Sequence, residues 1–165
     1  MLARLLILFL ILGGQAAYAQ SPKAPMPVYG DRLAPGWDNW SWAKVELSAK
    51  LSPTATTTPI KVDAGPWAAV FLHHAEFSTA GYKTLTLWVN GGVAGGQTLS
   101  VVPVIGDKAQ SEHAFTVTPE VRKWTKVEIP LSTLGIENKA ITGFWIQNAS
   151  DSAANTFYLD QIALF

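Results

Sequence analysis

Cysteine is absent from the 165 residues, which excludes disulfide staples, thiol chemistry and cysteine-ligated zinc. Charge is sparse: Asp, Glu, Lys and Arg make up 15% of the chain, with 12 basic against 12 acidic residues. No basic run interrupts this balance, so nucleic acid is not an expected partner, because phosphate binding needs clustered Lys and Arg. After the N-terminal segment, no apolar stretch approaches the ~20 residues that cross a bilayer, so stable membrane insertion is not expected. A convincing helical period is missing as well. What the chain does have is apolar and aromatic content, 48% hydrophobic with 7 Trp, 7 Phe and 4 Tyr. That suffices for the core of one domain.

The N-terminus reads Met-Leu-Ala-Arg, an apolar run from Leu5 to Leu12, and then Ala17-Tyr18-Ala19 before Gln20. A positive start, an apolar stretch too short to span a bilayer and an A-x-A end predict a secretory signal over residues 1–19. The mature protein is therefore expected to be secreted or periplasmic, and monomeric. Residues 20–27 include Pro22, Pro25 and Pro27 and read as an extended leader, leaving 28–165 as the folded domain.

Short runs rich in Val, Ile, Thr and aromatics recur through that domain, separated by Gly, Pro, Asn, Asp or Ser. Strands are predicted near 28–33, 41–47, 59–63, 68–74, 83–90, 97–105, 114–118, 125–131, 141–148 and 156–164. About ten strands at this spacing predict an all-β, antiparallel β-sandwich or barrel. Alternation sorts the faces: Leu85, Leu87 and Val89 lie opposite Thr84, Thr86 and Trp88, and Phe144 and Ile146 lie opposite Trp145 and Gln147. Two strands thus send a Trp away from their aliphatic side. The loop Asn90-Gly91-Gly92-Val93-Ala94-Gly95-Gly96 joins two strands and lacks the Gly-Lys-Ser/Thr of a phosphate loop.

The segments Tyr29-Gly30-Asp31-Arg32-Leu33, Gly36-Trp37, Trp40-Ser41-Trp42, Leu85-Thr86-Leu87-Trp88-Val89-Asn90-Gly91-Gly92, Gly95-Gly96-Gln97-Thr98-Leu99, Trp124-Thr125-Lys126-Val127-Glu128-Ile129-Pro130-Leu131 and Phe157-Tyr158-Leu159-Asp160-Gln161-Ile162 resemble, in that order, secreted carbohydrate-binding modules of the galactose-binding-like β-jelly-roll fold. The likeness extends from about Val28 to Phe165. It implies two antiparallel sheets face to face, a glycan-binding surface and, frequently, a structural Ca²⁺. Relatives of this kind often carry an acidic residue where this chain has Gly30, and are usually appended to a secreted enzyme.

A sugar ring offers a C–H face and a rim of hydroxyls, so its binder needs a flat aromatic plate beside hydrogen-bonding side chains. Trp88, Trp145 and Gln147 supply that combination, and Trp37, Trp40 and Trp42 add three indoles within six residues. His73 shares a strand face with Phe71 and is a candidate to line the same groove. Burial in a sandwich core would account for any of these Trp residues equally well, and Trp67 and Trp124 are expected to pack in the core or at its rim. Adjacent strand residues point to opposite faces, so His73 and His74 do not form a zinc pair without a bulge.

Asp31 and Asp160 fall on strand faces shared with apolar residues, where a carboxylate needs a partner. The pair is a candidate for Ca²⁺, with Asp160 favoured because the resemblance places the aspartate of Phe-Tyr-Leu-Asp at the structural metal; hydrogen bonding to turn amides is the alternative. The favoured function is non-catalytic, lectin-like binding of polysaccharide. The alternatives are an exported structural or adhesion module that recognises protein and, less favoured, a glycosidase or polysaccharide lyase. For the last of these the carboxylates Asp38, Glu46, Asp63, Glu76, Glu112 and Glu128 show no paired pattern.

Overall fold

The computed structural model describes residues 23–51 and 57–165; the expected signal segment, 1–19, lies outside them. Twelve strands are present: β1 (Met26–Tyr29), β2 (Trp37–Asn39), β3 (Lys44–Glu46), β4 (Ile60–Asp63), β5 (Ala69–Ser78), β6 (Thr84–Asn90), β7 (Leu99–Ile105), β8 (Lys108–Ala109), β9 (Phe115–Val117), β10 (Trp124–Pro130), β11 (Ala140–Asn148) and β12 (Phe157–Leu164). Among the described residues, one 3-10 turn covers Ser111–His113.

The strands form two six-stranded antiparallel sheets. The first runs β10-β6-β12-β4-β3, with β1 also paired to β12; the second runs β2-β5-β11-β7-β8, with β9 also paired to β7. The chain passes from one sheet to the other at every step except those from β3 to β4, β7 to β8 and β8 to β9. This wrapping makes the protein a β-sandwich, as its strand pattern predicts. Two strands escape the pattern. β2 is three residues long and contains Asp-Asn, poor strand formers, yet it is held on the edge of β5 with Asp38 opposite His73. β8 follows the two-residue turn Gly106-Asp107, in which Gly106 has φ +57°, a hairpin that glycine permits.

Alternation fills the space between the sheets. Leu85, Leu87, Val89, Phe144 and Ile146 are buried in one cluster with Val70, Leu72, Ile60, Val62, Phe157 and Leu159. Each such side chain contributes about 1.5–3 kcal/mol relative to exposure, and this burial fixes the strand register. The residues between them are consequently turned outward, on two separate outer faces.

The first and last strands are neighbours: Met26 pairs with Leu164 and Tyr29 with Ile162. β1 therefore begins inside the segment expected to be leader and ends at Tyr29. Residues 30–32 form a bend closed by a Tyr29–Leu33 bridge, so Asp31 lies in a turn, contrary to its expected place on a strand face. Gly30, whose N–H donates to the Arg32 carbonyl at 3.1 Å, helps to close that bend.

Candidate functional site

On the outer face of the second sheet, β11 presents Trp145 and Gln147, while β5 presents Phe71 and His73. Trp145 lies between Phe71 on one side and Val102 of β7 on the other. Beyond β2 the chain stays pinned along β5: Trp40 N–H donates to the Phe71 carbonyl at 2.9 Å and Trp42 N–H to the Ala69 carbonyl at 3.1 Å. The Asn39 side chain accepts from the Ser41 N–H, and the Phe71 N–H donates to the Ser41 hydroxyl. This anchoring lays Trp40 and Trp42 over the same outer face.

The five aromatic rings make one connected patch. Trp40 stacks on His73, with centroids 3.6 Å apart and planes 6° from parallel, and meets Phe71 edge to face at 5.9 Å. Trp42 stands against Trp145 at 4.8 Å and 85°, and Phe71 touches Trp145 at 6.0 Å. His73 backs one face of Trp40, yet that indole is 55% exposed and Trp42 is 48% exposed. Two indoles are thus held in fixed orientations on a half-buried aromatic bed, with ring surface left open to water.

Trp67 completes the arrangement, and its expected burial is corrected: it is 54% exposed. It occupies the third position of a turn, Gly65-Pro66-Trp67-Ala68, closed by the Ala68 N–H to the Gly65 carbonyl at 3.1 Å. Its φ of +55° is one that L-residues adopt at a cost of about 1–2 kcal/mol. The conformation has a consequence. The Trp67 carbonyl accepts from Trp42 Nε1 at 3.0 Å and from Gln147 Nε2 at 2.9 Å, locking both side chains of the patch. Pro at the second position of this turn was the available sequence signal; the exposure of Trp67 had none.

The structure brings together Trp40, Trp42, Trp145, Gln147 and His73, but not all the predicted residues. Trp37 is only 5% exposed. It packs against Phe144 and His74 in the interior, because its position in β2 turns it inward, so no ring surface remains for a ligand. Trp88 lies on the first sheet, opposite Lys126 and Asp160 in register, and thus on the other side of the sandwich from Trp145 and Gln147. His74 faces Trp37 while His73 faces Trp40, so the two histidines diverge as alternation requires. Among the described residues, no three His, Asp or Glu side chains converge as a metal site.

Asp31 and Asp160 lie close to Tyr29. Burial pushes the Tyr29 hydroxyl up to about 12, with the nearby Asp160 and Asp31 carboxylates adding to the shift. It therefore stays protonated and donates toward the carbonyls of Leu47 and Thr58. Asp31 Oδ1 accepts from the Thr58 N–H at 3.2 Å and Asp160 Oδ1 from the Gln161 N–H at 2.8 Å. Burial raises the Asp160 carboxyl above the ordinary range; the Gln161 N–H opposes the rise and Asp31 reinforces it. Calcium takes six to eight oxygens. Here each carboxylate has one oxygen on a backbone amide, the hydrogen-bonded alternative expected from the sequence, and among the described residues no third acidic or His side chain joins the pair.

No family model and no curated protein matches the sequence. Among solved structures, the sandwich is similar to family 29 carbohydrate-binding modules. A lysine-to-alanine variant complexed with cellulohexaose superimposes with a TM-score of 0.63 at 11% identity, covering 85% of this chain and 89% of that one. A variant complexed with mannohexaose gives 0.59 at 12% identity, with 85% and 89% covered. A family 29 module from Piromyces equi gives 0.56 at 18% identity, with 85% and 88% covered. At such identities the likeness is one of fold.

Proposed function

We propose that this chain is a non-catalytic carbohydrate-binding module that takes polysaccharide on the outer face of its second sheet. The observation that carries this reading is the pair of open, immobilised indoles, Trp40 and Trp42, on their bed of His73, Phe71 and Trp145. A pyranose settles its C–H face on such a plate, and the Gln147 amide beside them supplies hydrogen bonding for hydroxyls. Because the rings are held by stacking and by the Trp67 carbonyl before any ligand arrives, little side-chain entropy is lost on binding.

The fold shared with modules solved in complex with cellulohexaose and mannohexaose supports oligosaccharides of that kind as the first ligands to test. The export pattern of residues 1–19 supports a secreted or periplasmic protein. Affinity electrophoresis of the mature protein against soluble β-glucans and mannans tests the proposal. Retardation that is clearly reduced in Trp40→Ala and Trp42→Ala, with no release of reducing sugar, is the expected result; unretarded migration across the panel by a folded protein would overturn it.

A further inference from the structure

The first sheet has an outer face of different character, and it contains a cavity of about 250 Å³ lined by Thr57, Trp88, Trp124, Asp160 and Gln161. Trp88 and Asp160 are register partners on adjacent strands, and Trp124 opens the strand on the far side of Trp88. Asp160 is only 5% exposed, an unusual state for a carboxylate on the outside of a sheet. Two features show that the chain is specifically shaped here. β12 bulges between Asp160 and Ala163, and Gln161 has φ +46°, a strained value for a residue other than glycine.

The charge of Asp160 is the informative part. It receives the Gln161 N–H and a hydrogen bond from the Thr57 side chain, but no Lys, Arg or His among the described residues forms an ion pair with it or with Asp31. Lys126, across from Trp88, is turned to Glu128 at 2.5 Å. A largely buried carboxylate without a counter-cation is costly. Indole faces attract cations through their ring quadrupole, most strongly where water is displaced. The volume lies below the ~300–1,000 Å³ of sites for drug-sized ligands, which suits a guest group of about one small ring.

We propose that this cavity is a second ligand site, separate from the Trp40/Trp42 face, and that it takes a compact organic ammonium such as the protonated amine of an amino sugar. The amine pairs with Asp160 while the ring or alkyl part lies against Trp88 and Trp124. The site stands whether or not the opposite face binds glycan.

The test is a titration of the ¹⁵N-labelled mature protein with glucosamine, N-acetylglucosamine, glucose and calcium chloride at matched ionic strength, following the indole N–H resonances. Glucosamine should shift Trp88 and Trp124 saturably while glucose and N-acetylglucosamine, which lack the charge, leave them in place. Asp160→Asn should weaken the glucosamine response by about tenfold or more, the scale of a desolvated cation contact. Trp124→Leu, which keeps the carboxylate, should weaken it as well and serves if Asp160→Asn does not fold. No saturable shift, an equal response to glucose, full affinity in a folded Asp160→Asn, or shifts produced by calcium and not by the amine would each overturn the proposal.

Discussion

The two outer faces of this sandwich use tryptophan in opposite ways. On the second sheet, aromatic side chains touch one another, and the outermost pair, Trp40 and Trp42, stands on the inner three as a raised platform. On the first sheet, Trp88 and Trp124 sit among Thr84, Thr86, Lys126, Glu128 and Asp160, where they wall a small recess with a carboxylate inside. Strand alternation delivers a Trp to both surfaces by the same rule. What differs is the neighbouring row: Phe71 and Val102 flank Trp145, whereas Lys126 and Asp160 flank Trp88. An exposed indole is a sugar plate or a cation wall according to the side chains one strand away.

The largest expected effect comes from removing the support of the platform. Gly143, in β11 two residues before Trp145, has φ +147°, and a Cβ there would collide with the Leu72 carbonyl oxygen. Gly143→Ala should therefore destabilise the protein by about 3 kcal/mol or more, seen as a steep fall in denaturation midpoint. Next comes the division of labour between the faces. Trp42→Ala should weaken glycan binding by about 1–2 kcal/mol with the fold intact, while Trp88→Ala should leave that affinity unchanged. Parallel losses in both variants, measured by calorimetry, would erase the distinction between the two sides.

Trp67 separates strain from contact on a smaller scale. Trp67→Gly relieves a left-handed backbone worth about 1–2 kcal/mol while keeping the carbonyl that holds Trp42 and Gln147. It should match or exceed the parent in thermal stability yet bind glycan more weakly if the exposed indole contributes. The smallest effect is electrostatic. Because the folded state raises the Asp160 pKa above its ordinary 3.8, this group's contribution to stability is fully present below that value and is lost as pH rises through the raised one. Asp160→Asn should accordingly melt slightly higher at neutral pH, with the advantage fading toward acid, in scans of melting temperature against pH.

Much of the architecture was legible in the chain. Alternation in Thr84–Val89 and Phe144–Gln147 located the core side correctly and sent Trp88 and Trp145 outward. Period-two reasoning works within a strand, but it does not say which sheet a strand joins, so it could not show that those two indoles face away from each other. Trp37 and Trp40 sit three residues apart and end up on opposite sides, because β2 stops at Asn39 and the chain then follows β5 through hydrogen bonds that no local propensity encodes. Asp31 illustrates the same limit. Its neighbours alternate as a strand would, but the Gly30 N–H to Arg32 carbonyl contact folds the segment into a bend. Tyr29 shows it too: its hydroxyl reaches carbonyls contributed by residues 47 and 58, far away in sequence.

The most direct test of the central claim is a titration of the mature protein with cellulohexaose and mannohexaose, monitored through assigned tryptophan side-chain resonances. Saturable shifts at Trp40 and Trp42, with Trp88 and Trp124 unmoved, are what this account predicts. Shifts confined to Trp88 and Trp124, or none at any indole of the folded protein, would contradict it.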